Sequence, residues 1–243
     1  MNTPGGGASR GKRGLAHPEP LLPREWLAEL ATTAGHRQEQ VARLVSRGLE
    51  AFLAGDYEAC AALARQAKDR APRSARVREL LGLAAYRAGR WKEALGELLA
   101  YRRLTGQLDQ NHLIADCYRA QGRPERALEV CDEVSRDQAP AELWAEVVIV
   151  GASALADRGM LVQALARLSR ADLQPRQVNP HHLRLWYVQA DLLERAGRRE
   201  EALGVWERIA AEEPGFFDLE ERMSQSGGPT PRGRDAGSDH PRG

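Results

Sequence analysis

Few residues in this chain could perform chemistry, and the best group is one histidine with an acidic neighbour. His112 and Asp116 lie four residues apart, and Cys117 follows directly. On a helix, this spacing places the imidazole and the carboxylate on one face, which would suit metal binding or acid–base catalysis. A surface hydrogen bond or ion pair explains the same spacing without any special chemistry, and we favour that interpretation.

The other candidate groups do not converge. His181 and His182 are adjacent, so on a helix their side chains point about 100° apart and do not meet at one metal ion. The cysteines form no CxxC pair and fall within predicted helices, which indicates small buried residues in a reducing compartment. They are Cys60, Cys117 and Cys131. We therefore predict no catalytic residue, no metal site and no cofactor, and a protein that is not an enzyme.

The elements that position these residues form a repeated pair of short amphipathic helices. In segment 183–214, Trp186 and Ala190 share one face of a first helix, and Ala202 and Trp206 share one face of a second. A glycine separates the two helices. Neither apolar stripe can be buried by its own helix, so the two helices should fold against each other as a hairpin.

This hairpin pattern occurs five times, with its loop glycines 33 to 38 residues apart. The loop glycines are Gly55, Gly89, Gly122, Gly159 and Gly197. A small residue stands seven positions before each one (Gly48, Gly82, Ala115, Ala152, Ala190) and five positions after it (Cys60, Ala94, Ala127, Ala164, Ala202). A helix-interior glycine costs about 1 kcal/mol relative to alanine. Gly48 and Gly82 therefore indicate sites where two helices cross too closely for a larger side chain.

The spacing resembles that of the tetratricopeptide repeat (TPR) family, including the terminal proline at Pro72 and Pro214. The Ala- and Arg-rich composition is similar to that of uncharacterised TPR proteins of high-GC bacteria. The resemblance implies an all-α fold, a right-handed α-solenoid of about five hairpins over 37–214. Capping helices are expected at 21–36 and 215–223, with Phe216 and Phe217 covering the end. The predicted pairs are about 37–54 with 57–70, 75–88 with 91–104, 107–120 with 124–136, 140–157 with 160–171, and 180–196 with 199–212.

The resemblance also implies a function, because the first helices of such pairs line a concave groove that binds a peptide or a partner helix. The alternative is an ordinary solvated face. Val45 and Leu49 replace the charged side chains with which one subtype of the family holds a C-terminal carboxylate, so that mode is not expected. The groove residues that the register predicts are Glu79, Leu83, Tyr86, Arg87, His112, Asp116, Arg119, Ile149, Ser153, Tyr187, Asp191 and Arg195.

Composition and charge narrow the class further. The formal net charge is +1, but residues 1–16 carry Arg10, Lys12 and Arg13 and no acidic residue. These three stand within a Gly- and Pro-rich segment 1–20 that we predict to be disordered, as is 224–243. The remainder is mildly acidic, which argues against a nucleic-acid groove, and no apolar run is long enough to cross a membrane.

The sequence thus predicts a non-catalytic, cytoplasmic scaffold or adaptor that binds a protein or peptide. Two alternatives stay open. One is an RNA- or ribosome-associated factor that uses the basic tails, and the other is a regulatory subunit of an enzyme. The pattern does not identify the partner or the oligomeric state.

Overall fold

A computed structural model describes residues 22–225, and this part of the chain contains helices and no strand. The predicted disordered tails, 1–20 and 224–243, lie outside the described residues except for Ser224 and Gln225. Within the described part there are twelve α-helices: α1 Arg24–Ala34, α2 Gln38–Leu53, α3 Tyr57–Arg70, α4 Ala75–Arg87, α5 Trp91–Thr105, α6 Asn111–Ala120, α7 Pro124–Asp132, α8 Ala141–Asp157, α9 Leu161–Leu168, α10 Pro180–Arg195, α11 Arg199–Glu212 and α12 Leu219–Gln225.

Consecutive helices pack as five hairpins, α2 with α3 through α10 with α11, and each hairpin stacks on the next. The first helices form one layer and the second helices form another. The all-α fold and the right-handed solenoid predicted from the sequence are confirmed. No helix within residues 22–225 combines the length and the apolar character needed to cross a bilayer.

The hairpin turns have the same geometry in all five pairs. Each of the five loop glycines has a positive φ, between 69° and 79°, a conformation in which a side chain would be strained. A glycine in this conformation ends the first helix and reverses the chain within a few residues. The second helix then starts at a fixed distance from the first, which keeps the five hairpins alike.

The helices of a pair cross at the small residues, all of which are buried. A Cβ atom added to Gly82 would lie 2.7 Å from Leu98 Cδ2 and 3.3 Å from the Leu98 backbone nitrogen. A Cβ atom added to Gly48 would lie 3.8 Å from Leu63 Cβ on its partner helix α3, and 3.1 Å from Leu80 Cδ2 on α4 of the next pair. The expected close approach within a pair is therefore present at Gly82, where a larger side chain would have to displace the partner helix, whereas at Gly48 the tight contact is with the next pair.

The third pair begins later than the sequence predicted. Its first helix starts at Asn111 rather than at about 107, because Gly106 adopts a left-handed φ of 70° and ends α5. Tyr101 Oη then donates to Asp109 Oδ2 at 2.9 Å, which holds the intervening turn against α5. Asn111 is fully buried, and its Nδ2 donates to the Val130 carbonyl at 3.0 Å, which fixes the start of α6 against α7.

The two ends of the array are covered by α1 and α12. At the first end, Glu29 of α1 accepts hydrogen bonds from Ser74 Oγ at 2.8 Å and from the Ala75 backbone nitrogen at 2.6 Å. At the other end, α12 starts at Leu219, later than the expected 215. Phe216 packs against the core cluster of the fifth pair as expected, together with the buried side chains Leu219 and Met223. Phe217 is 71% exposed and meets the ring of Tyr187.

Alanine substitution at two helical glycines should change stability in opposite directions. Gly96→Ala adds a methyl group to an exposed position with no atom within 4 Å, so it should raise the free energy of unfolding by about 1 kcal/mol. Gly82→Ala makes the same change at the helix crossing. The collision with Leu98 should outweigh the gain in helix propensity and lower the free energy of unfolding by roughly 1 kcal/mol. Urea unfolding measures both, and a stabilising Gly82→Ala would contradict the close crossing.

Candidate functional site

All five first helices contribute to one pocket on the concave side of the solenoid. This central pocket has a volume of about 350 Å³. It receives Phe52 from α2 and Arg184 from α10, with the remaining residues on α4, α6 and α8 between them. Its lining residues are Phe52, Leu83, Tyr86, Arg87, His112, Leu113, Asp116, Glu146, Val150 and Arg184. Because helices far apart in sequence meet here, the pocket marks the middle of the groove.

Five of the twelve groove residues predicted from the sequence line the central pocket: Leu83, Tyr86, Arg87, His112 and Asp116. They lie on the facing sides of α4 and α6. The other seven lie outside it, and the part that any of the twelve plays in binding stays a prediction.

Four of those seven residues lie near the central pocket or in the core behind it. Arg119 donates to Asp116 from the next turn of α6. Glu79 is buried and accepts from Gln110 Nε2 at 3.0 Å. Ile149 packs into the core between the fourth and fifth pairs, and Ser153 is only partly exposed.

The three predicted residues of the fifth pair contact other parts of the chain. Tyr187 Oη is hydrogen-bonded to Asp218, just before α12, and Asp191 Oδ1 lies 3.1 Å from Arg222 Nη2 on α12. Arg195 Nη2 donates to the Ala156 carbonyl at 3.0 Å. The C-terminal segment therefore covers Tyr187 and Asp191.

A polar network joins the walls of the central pocket. Tyr86 Oη on α4 donates to Asp116 Oδ2 on α6 at 2.7 Å, and Arg119 Nη1 donates to Asp116 Oδ1 at 2.6 Å. Arg119 also donates to Asp157 at the end of α8 at 2.8 Å. Burial, and then the neighbouring Asp116, raise the pKa of Tyr86, so its hydroxyl stays a donor. The network holds three first helices in one arrangement.

His112 and Asp116 do not form the acid–base pair that their spacing allows. Both carboxylate oxygens of Asp116 accept from Tyr86 and Arg119. Burial lowers the pKa of His112 to about 4, so its imidazole is neutral at neutral pH. Cys117 lies in the core cluster on another side of α6. Within the described part of the chain, no group of three or more His, Cys, Asp or Glu side chains could hold a metal ion.

The three cysteine thiols are buried among apolar side chains. Burial raises the pKa of Cys60 to about 11 and the pKa values of Cys117 and Cys131 to about 12. A protonated thiol is a poor nucleophile and a poor metal ligand. These side chains therefore act as small packing residues, with Cys60 at the helix crossing of the first pair.

Two charged residues of the central pocket, Glu146 and Arg184, were not among the predicted set. They form an ion pair at 2.7 Å between α8 and α10, and burial raises the pKa of Glu146. Each stands six positions before the small crossing residue of its helix, and Asp109 has the same place in the third pair. The position six residues before the small crossing residue is charged in four of the five pairs, and this pattern in the sequence could have identified Glu146 and Arg184.

Comparison with known proteins supports the repeat and the fold. The tetratricopeptide repeat family model matches residues 45–108. A thermophilic TPR protein of Thermus thermophilus, TTC0263, has a similar structure with a TM-score of 0.61, 20% identity, and coverage of 76% of this chain and 98% of that one. No curated protein matches this sequence.

Two further solved structures are similar. The apo form of the quorum sensor NprR from B. thuringiensis has a TM-score of 0.63 and 17% identity, over 82% of this chain and 60% of that longer one. YrrB, described as a TPR protein with an unusual peptide-binding site, has a TM-score of 0.51 and 16% identity, over 80% of this chain and 97% of that one. At these identities, the similarity establishes the fold.

Acidification should destabilise the protein in part through His112. The pKa of this imidazole is about 4 in the folded protein and about 6.5 in the unfolded chain, so between these values only the unfolded chain binds the proton. The stability present above pH 6.5 should fall by up to about 3 kcal/mol as the pH approaches 4. His112→Gln should remove this component, as measured by urea unfolding over a pH series.

The matched control is His36→Gln, at an exposed position outside the groove. Its pH profile should follow that of the wild type. If wild type and His112→Gln lose stability in parallel between pH 6.5 and 4, His112 is not held neutral by burial.

Proposed function

We propose that this chain, a TPR-type solenoid with a family match over residues 45–108, is a non-catalytic scaffold that binds a peptide in the groove of its first helices. The observation that carries the proposal is the central pocket, where all five first helices converge. A surface that is only solvated would not gather partly exposed apolar side chains at a concave site. Leu83, Leu113 and Phe52 do so here, beside the polar groups of Tyr86 and Arg184.

The chemistry of the groove suits binding rather than reaction. Apolar side chains supply contact area, and a few fixed polar groups supply orientation, which is the usual composition of a recognition site. The candidate nucleophiles are buried protonated thiols, and the carboxylate of Asp116 is occupied by two donors. The tight Tyr86–Asp116–Arg119 network means that the groove is formed before the ligand arrives, which lowers the entropy cost of binding.

The similar structures support a peptide or protein as the ligand. YrrB is described as having a peptide-binding site, and NprR as a quorum sensor. Free cysteines buried in the core fit a reducing compartment such as the cytoplasm. The alternative of an RNA- or ribosome-associated factor depends on Arg10, Lys12 and Arg13, which lie outside the described residues. A regulatory subunit of an enzyme would use the same groove.

The test selects short linear peptides on the full chain from a phage-displayed random library and measures their affinity by fluorescence polarisation. Leu83→Glu places a charge in the central pocket, so it should weaken the selected peptides about tenfold or more. Arg184→Ala removes a charged side chain from the lining of the central pocket, so it should weaken the binding of the selected peptides by less than Leu83→Glu does.

Leu104→Glu is the matched control, because it makes the same substitution at an exposed leucine of a second helix. It should leave the affinities unchanged, and both variants should retain the helical circular dichroism spectrum. If no peptide is selected, or if Leu83→Glu binds the selected peptides as tightly as wild type, the groove is not the binding site.

A further inference from the structure

A second cavity opens beside the central pocket, where the third and fourth pairs meet. We call it the acidic pocket. Its volume is about 670 Å³. It is continuous with the groove, because His112 and Glu146 line both cavities. It lies between the turn before α6 and the start of α8, and its lining residues are Gly106, Gln107, Leu108, Asp109, His112, Val134, Ser135, Gln138, Ala139, Pro140, Glu142, Leu143 and Glu146.

The charged side chains that line this pocket are all acidic. Asp109, Glu142 and Glu146 contribute carboxylates, and no lysine or arginine is among the lining residues. Neither Asp109 nor Glu142 forms an ion pair with a lysine or arginine of residues 22–225. The Asp109 carboxylate accepts from the neutral hydroxyl of Tyr101, and Glu142 lies 3.9 Å from His181 Nδ1. Elsewhere in the array, carboxylates between pairs are commonly matched, as Glu97 is by Lys68 and Arg78.

Glu146 connects the acidic pocket to the central pocket. Its carboxylate meets Arg184 on the central side at 2.7 Å, and only 16% of its side chain is exposed. One exposed arginine does not offset this burial, because the pKa of Glu146 is still raised. A cation arriving from the acidic pocket would favour the ionised form of this buried carboxylate.

Apolar side chains form a second part of the lining of the acidic pocket. Leu108, Val134 and Leu143 line it together with Ala139 and Pro140, alongside a few neutral polar side chains. A bare ion would gain nothing from these side chains. Lysine and arginine, by contrast, bury an aliphatic stem along apolar surface while the charged end reaches polar groups. The acidic pocket offers both an apolar surface for such a stem and carboxylates for its charged end.

We propose that the acidic pocket receives a lysine or arginine side chain of the bound peptide, while a neighbouring apolar residue of that peptide occupies the central pocket. The inference rests on the proposed function and specifies its ligand as a peptide with a cationic residue beside an apolar one. Asp109 and Glu142 bind the cation, Leu108 and Leu143 contact its stem, and Glu146 lies between the two subsites.

The experiment uses the peptides selected on the full chain. They should be enriched in lysine or arginine, and replacing that residue by norleucine, which keeps the stem and removes the charge, should weaken binding about tenfold. In the double variant Asp109→Asn/Glu142→Gln the same replacement should cost less than about threefold, because the carboxylates that met the charge are gone. Glu207→Gln, at an exposed position of α11, is the control and should retain the full tenfold effect.

The outcomes separate this inference from the proposed function. Peptides that lose affinity with Leu83→Glu but show no need for lysine or arginine would overturn the cationic subsite and leave the groove intact. Failure to select any groove-dependent peptide would overturn both. If the chain lacking residues 1–16 selects cationic peptides and the full chain does not, the acidic pocket of the full chain is occupied by its own Arg10, Lys12 and Arg13 segment. That result would overturn the proposal that a partner peptide supplies the cation.

Discussion

The close crossing of two helices at a pair of small side chains is the constraint on which this structure depends. At Gly82 there is no room for even a methyl group, because Leu98 lies too near. Short interhelical distances bury the Ala- and Leu-rich stripes that neither helix could bury alone. The left-handed glycine in each turn fixes the length of the connection, so the crossing falls at the same place in every pair. Polar contacts between neighbouring pairs, such as those of Tyr86 with Asp116 and of Arg119 with Asp157, then hold the stacked pairs together.

The groove is a consequence of this repetition. Because every pair crosses at the same position, the opposite sides of the five first helices face a common space. Tyr86, Asp116 and Arg119 join neighbouring first helices across that space. The two pockets differ in charge, since the central one contains arginines as well as carboxylates and the acidic one contains carboxylates alone. A solenoid with one fold can therefore become specific for a ligand through the residues at a few repeated positions.

The sequence predicted the fold well because steric constraints repeat in it. The loop glycines and the small crossing residues have a regular spacing, and the structure places all of them as expected. The candidate site was less predictable, because it depends on how pairs are offset from one another. That offset brings Glu146 and Arg184 into the central pocket, whereas Ile149, one turn later than Glu146, faces the core. Contacts far apart in sequence, such as that of Asp191 with α12, leave no periodic signal.

Hydrogen exchange, read by mass spectrometry on the full chain with and without a saturating selected peptide, tests the central claim most directly. A ligand held in the groove should stabilise the helices that it contacts and slow their local opening. The account predicts slower exchange in α4, α6 and α8, with little change in the second helices α5, α7 and α9. Slower exchange confined to those second helices, or no change anywhere despite saturation, would contradict it.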